Sequence, residues 1–153
     1  MKPSAIVLWC VMALFLAGNA FAGDDKAPVS TFDKERAVKN LIIGLGMNNC
    51  GVEHDAACLL GDFKSTEAVI PLLKILHEDA DCECCRIAAA LALARIGDSR
   101  GTYAVRQAVK HDSSQKVKNL CAYFYNEYVQ PGTFEFIVEK SSGEMIAVAV
   151  PDR

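Results

Sequence analysis

Between residues 33 and 129 the apolar positions of this chain recur at helical spacing, and beyond Pro131-Gly132 they give way to β-rich segments. Val38, Leu41, Ile42 and Leu45 stand at i, i+3, i+4 and i+7, which predicts a first helix over 33–47, ended by Gly44, Gly46 and Asn48-Asn49. Val52, Ala56, Leu59 and Leu60 predict a second over 52–61. Val69, Leu72, Leu73 and Leu76 repeat the first stripe and predict a third over 65–78, with Pro71 early enough to be tolerated. A fourth, over 83–96, is apolar at every position from Ile87 to Ala94, so it should be buried all round. The fifth, 99–110, is polar and weakly patterned. The sixth, 114–129, gathers Val117, Leu120, Cys121, Phe124 and Tyr128 on one side. Thr133–Lys140 and Met145–Val150 flank a Ser-Ser-Gly-Glu turn and predict a β-hairpin.

The helical stretch repeats itself. Leu59-Leu60-Gly61-Asp62 is echoed by Ala94-Arg95-Ile96-Gly97-Asp98, and each is followed by an amphipathic helix. The two Gly-Asp pairs read as corners 36 residues apart, the spacing of stacked helical hairpins, which bury their faces only by stacking. The expected fold is all-α: a short right-handed α-solenoid of about three helical hairpins (33–61, 65–96, 99–129) with a C-terminal β-hairpin. The organisation that follows is a leader at 1–22, a linker at 23–32, a repeat domain at 33–130 and a tail at 131–153.

The leader combines Lys2, the apolar run Ala5–Leu16 and a small-x-small site at Ala20-Phe21-Ala22, which predicts a cleaved signal peptide and an exported chain, periplasmic or extracellular. Loss of Lys2 leaves 15 basic against 19 acidic residues, a balance that argues against nucleic acid as the main partner. No later segment is apolar enough for stable membrane insertion. Six cysteines remain after cleavage: Cys50, Cys58, Cys82, Cys84, Cys85 and Cys121. In a small exported domain an even number reads first as disulfides, although six cysteines allow about 15 pairings.

The segment Ala68–Asp98 resembles HEAT repeats of the short bacterial type named after phycobilisome lyases: Ala-Val-Ile-Pro-Leu, an acidic loop with Asp81, a basic Arg86 opening the inner helix, an alanine-rich run, and Ile-Gly-Asp. The resemblance implies a helical scaffold in which Asp81 and Arg86, and less closely Asp112 and Lys118 in the next repeat, link neighbouring repeats. The chain departs from that pattern in its first repeat, whose inner helix reads as shortened, as in a terminal cap. The resemblance accounts for neither the C-terminal hairpin nor Cys82-Glu83-Cys84-Cys85.

The cysteine cluster carries three readings. As staples, Cys50 and one of Cys82–Cys85 would clamp the first repeat to the second. As a metal site, Cys82, Cys84 and Cys85 would be joined by His54, His77 or Cys50; the spacing is not the usual zinc knuckle, and adjacent Cys84 and Cys85 point about 100° apart on a helix. The third is a redox role. None of the histidines pairs with a Ser or Cys as nucleophile and base, and the pattern calls for no cofactor. The remaining feature is the face Lys116, Asn119, Tyr123 and Asn126 on the last helix, which is either a partner surface or the seat of the hairpin. The sequence thus reads as a non-enzymatic module that binds another protein, with thiol or metal handling as the alternative and a chromophore lyase, by resemblance, behind both.

Overall fold

A computed structural model describes residues 33–78, 82–138 and 143–150. The leader, the linker and Asp81 lie outside them. The described residues form helices α1 (Lys34–Gly44), α2 (Cys50–Asp62), α3 (Val69–His77), α4 (Glu83–Ile96), α5 (Ser99–His111) and α6 (Gln115–Tyr128), then strands β1 (Phe134–Val138) and β2 (Met145–Ala149). A 3₁₀ turn, Thr66–Ala68, leads into α3. Four helices start on side-chain caps that satisfy otherwise orphaned amides: Asp33 accepts from Arg36, Asn49 from Val52, Asp98 from Arg100 and Ser114 from Val117.

The core is built around α4, which packs against α2, α3, α5 and α6. Its Ala88, Ala89, Ala90, Ala92, Leu93 and Ala94 are all buried. Small side chains let its neighbours approach closely: a Cβ on Gly61 of α2 would fall 2.8 Å from the Ala92 Cα. Leu60, Leu72, Leu76 and Leu93 are fully enclosed, each contributing about 1.5–3 kcal/mol of transfer free energy.

Helix positions agree with the pattern to within a turn, but the repeat register differs. The two Gly-Asp pairs are not equivalent. Gly61 lies inside α2, where it admits α4, and Asp62 ends that helix. Gly97 is the left-handed C-cap of α4 (φ 75°), and Asp98 caps α5. The counterpart of Gly97 in the first repeat is Lys64 (φ 50°), and that of Asp98 is Ser65, each 33 residues earlier. The period is therefore 33, not 36. The first inner helix is not shortened either: α2 has 13 residues against 14 in α4 and α6. Val52 and Leu59, expected on its buried stripe, are exposed, while Ala56, Ala57 and Leu60 face the core. The weakly patterned α5 buries Gly101, Ala104, Val105, Ala108 and Val109, a face of small residues that hydropathy alone undervalues.

β1 and β2 pair antiparallel with Phe134 opposite Ala149 and Val138 opposite Met145. The hairpin is fixed to α6 by two asparagines. Asn119 donates to the Met145 carbonyl (2.5 Å) and accepts from the Ala147 amide (3.0 Å). Asn126 donates to the Phe134 carbonyl (2.7 Å) and accepts from the Phe134 amide (3.1 Å). Phe134 is buried edge-on against Tyr125, with ring centroids 5.5 Å apart. One repeat earlier, the places of Asn119 and Asn126 are held by Arg86 and Leu93, which face the following repeat: Arg86 bonds Asp112, and Leu93 lies against Gly101. The hairpin thus covers the face on which a further repeat would stack, the role of a solenoid cap.

Candidate functional site

Two features of the repeat domain bring chemistry-bearing residues together. The first is the junction of α2 and α4. Cys50 is the first residue of α2, Cys82 is the N-cap of α4, and Cys84 and Cys85 lie in the first turn of α4. Their four sulfurs all lie within 4.8 Å of one another. Cys50 and Cys82 form a disulfide, and Cys84 and Cys85 are free thiols. Cys84 Sγ is 2.7 Å from Cys50 Sγ and 3.0 Å from Cys82 Sγ; Cys85 Sγ is 2.8 Å from Cys82 Sγ and 3.1 Å from Cys50 Sγ. The adjacent thiols therefore converge despite their angular separation, because both start a helix whose N-cap sulfur lies between them.

The electrostatics of the junction are divided. The N-termini of α2 and α4 both bring the positive ends of their dipoles to the sulfurs, which favours thiolate. Cys85 is buried; desolvation, the neighbouring Cys84 and the Glu53 carboxylate push its thiol up to about 12. Glu53, in the first turn of α2, is itself buried. Cys82 and Cys84 are exposed.

His54, expected as a possible ligand, is not among these groups. It is exposed, with its ring nitrogen 3.3 Å from Asp55. His77 and His111 end α3 and α5 and line a cleft of 230 Å³ with Gln107 and Asp112. Cys58 is half-buried on α2, and burial raises its thiol. Cys121 is buried on α6 outside the cluster, and burial pushes its thiol up to about 12.

The second feature is a row across the inner helices. Asp62, Arg95 and Tyr128 occupy the same place in successive repeats (62, 95, 128). Arg95 donates to Asp62 at 2.5 Å, and its guanidinium lies 5.5 Å from the Tyr128 ring centroid. Sequence reading missed this row because it used the wrong period; spacing Asp62 by 33 would have found it.

The remaining sequence-predicted residues fall elsewhere. Arg86 and Asp112 form an ion pair between repeats, with both oxygens of Asp112 accepting from one guanidinium nitrogen at 3.1 and 3.0 Å. Both side chains are about 5% exposed (5% and 6%). Lys118 does not take Arg86's place; in the 33-residue register Asn119 does, and Lys118 lines a recess with Phe134 and Ile146. Of the candidate partner face, Asn119 and Asn126 are engaged with the hairpin, leaving Lys116 and Tyr123 exposed.

Stacked helical hairpins with an inter-repeat Arg–Asp pair are matched by a family model for HEAT repeats over residues 38–123, more than half of the chain. The chain belongs to the HEAT-repeat family. Among solved structures, this HEAT-repeat chain is similar to human deoxyhypusine hydroxylase in complex with glycerol: TM-score 0.56, 22% identity, covering 60% of this chain and 31% of that one. It spans about a third of that protein's length, and the likeness concerns the fold. No curated protein matches it. Among the described residues, no helix is long and apolar enough to cross a membrane.

Proposed function

We propose that this HEAT-repeat chain is an exported, non-enzymatic scaffold, periplasmic or extracellular, that docks another protein through the exposed side of its inner helices. The observation that carries the reading is the Asp62–Arg95–Tyr128 row: one polar or aromatic residue per repeat, aligned across three repeats on the helices with which solenoids bind. Arg and Tyr are the residue types enriched at the energetic centres of interfaces. Leu59 and Tyr128 add exposed apolar surface to the same helices. The leader motivates export, and the likeness of Ala68–Asp98 to the short phycobilisome-lyase type of repeat motivates a bacterial source.

The test uses the mature chain from Gly23 and an Arg95→Ala/Tyr128→Ala variant as paired baits against an extracytoplasmic extract of the source cell. A partner retained by the wild type and lost by the variant, with unchanged circular dichroism, is the expected outcome. Equal retention by both baits, or recovery of nothing beside a measurable turnover, would overturn the reading.

A further inference from the structure

We infer that Cys50, Cys82, Cys84 and Cys85 form a thiol–disulfide exchange centre, in which a Cys82-x-x-Cys85 pair at a helix N-terminus trades bonds with a Cys50–Cys84 pair and with external disulfides. The activity goes beyond scaffolding and stands or falls independently of it.

The geometry separates this cluster from an inert staple. Exchange proceeds by attack of a thiolate on a disulfide sulfur, so it needs a thiol against the bond and a way in for the reactant. Each sulfur of the Cys50–Cys82 bond has two thiols within 3.1 Å of it. Cys82 and Cys84 are exposed. The dipoles of α2 and α4 favour the thiolate that attacks. The cluster is also asymmetric: Cys82 is exposed at the N-cap of α4 while Cys85 is buried, its thiol directed at the Cys50 carbonyl (3.5 Å). That is the division between an entry thiol and a resolving thiol.

The chemistry closes as follows. The Cys84 thiolate, 2.7 Å from Cys50 Sγ beside the Cys50–Cys82 bond, rotates about its side chain into line with that bond and attacks Cys50 Sγ; the Cys50–Cys82 bond breaks, a Cys50–Cys84 bond forms, and Cys82 leaves as thiolate with no net change of oxidation. Cys82 then attacks an external disulfide, forming a mixed disulfide and releasing the first external thiolate. Cys85, giving its proton to the first released external thiolate, attacks Cys82 Sγ at 2.8 Å; a Cys82–Cys85 bond forms and the second external thiolate leaves. Both released groups take up a proton, so two electrons pass from the centre to the external disulfide. The centre ends with two disulfides and the external reactant as two thiols. Because Cys50 begins α2 and the other three begin α4, the pairing also sets whether the first repeat is bonded to the second.

The experiment treats the mature chain, carrying one disulfide, with oxidised glutathione and follows it by mass spectrometry without reduction. The expected product has two bridges, Cys82–Cys85 and Cys50–Cys84, with two glutathiones released per chain. A Cys85→Ser variant is expected to stall as a glutathione adduct on Cys82, and a Cys121→Ser variant to behave as wild type. Absence of release from the wild type together with absence of an adduct on folded Cys85→Ser overturns the proposal. So does protein, purified without chelator, that holds one zinc on four reduced cysteines and exchanges nothing until the metal is stripped.

Discussion

A methyl group at Gly61 would meet the backbone of α4, 2.8 Å from the Ala92 Cα and 3.1 Å from its Cβ. Neither atom can rotate away, so the helices must separate. Gly61→Ala is expected to destabilise the chain by about 1–3 kcal/mol, as overpacking does. Gly97 differs in kind: a Cβ there meets nothing within 4 Å, but its φ of 75° disfavours any L side chain. Gly97→Ala should cost about 1 kcal/mol, near the lower end of the left-handed penalty. Urea unfolding of the two variants checks the order, and a harmless Gly61→Ala would show that α2 and α4 are less tightly joined than drawn. The two glycines look alike in sequence because both precede an aspartate; what differs is the neighbouring helix, which no local window contains.

At the scale of elements the hairpin is the piece that local patterning places but cannot explain. Its strands and its turn composition are legible, and the face holding Asn119 and Asn126 is legible as either a partner surface or a seat; the hydrogen bonds that make it the seat arise only in the tertiary fold. Asn126→Ala removes both hydrogen bonds to Phe134 at a partly buried site and should cost about 1–3 kcal/mol through the amide and carbonyl left behind. Asn126→Asp keeps the acceptor and should fall between the two. Hydrogen exchange at the Phe134 amide, read beside urea unfolding, distinguishes a loosened hairpin from general destabilisation. Unchanged protection at Phe134 in Asn126→Ala would remove the asparagine from the seat.

For the molecule as a whole, the tie between repeats is the buried Arg86–Asp112 pair. Breaking it by Asp112→Ala takes this carboxylate away from the buried guanidinium and also removes the acceptor of the Ser114 amide (2.8 Å), so a loss of about 3–5 kcal/mol is expected. Arg86→Met/Asp112→Leu, which leaves no charge behind, should recover most of it. Denaturant midpoints of both variants decide the matter: a loss below about 1 kcal/mol for Asp112→Ala would mean that apolar stacking alone holds the repeats.

Sequence alone determined the helices, their stacking in pairs, the buried α4 and the presence of a hairpin, because these follow from periodicities that neighbours along the chain impose on one another. The likeness to HEAT repeats implied a linking role for Arg86, which the fold pairs with Asp112. Tertiary structure decided what depends on residues far apart in sequence. The 33-residue register, the separate tasks of Gly61 and Gly97, the row Asp62–Arg95–Tyr128 and the hairpin as a cap emerge only once helices are placed side by side. The cysteines show the division most plainly: sequence placed Cys50 and Cys82–Cys85 at adjacent helix starts and suggested one bridge between them, while the structure decided that the bridge is Cys50–Cys82 and that Cys84 and Cys85 lie against it.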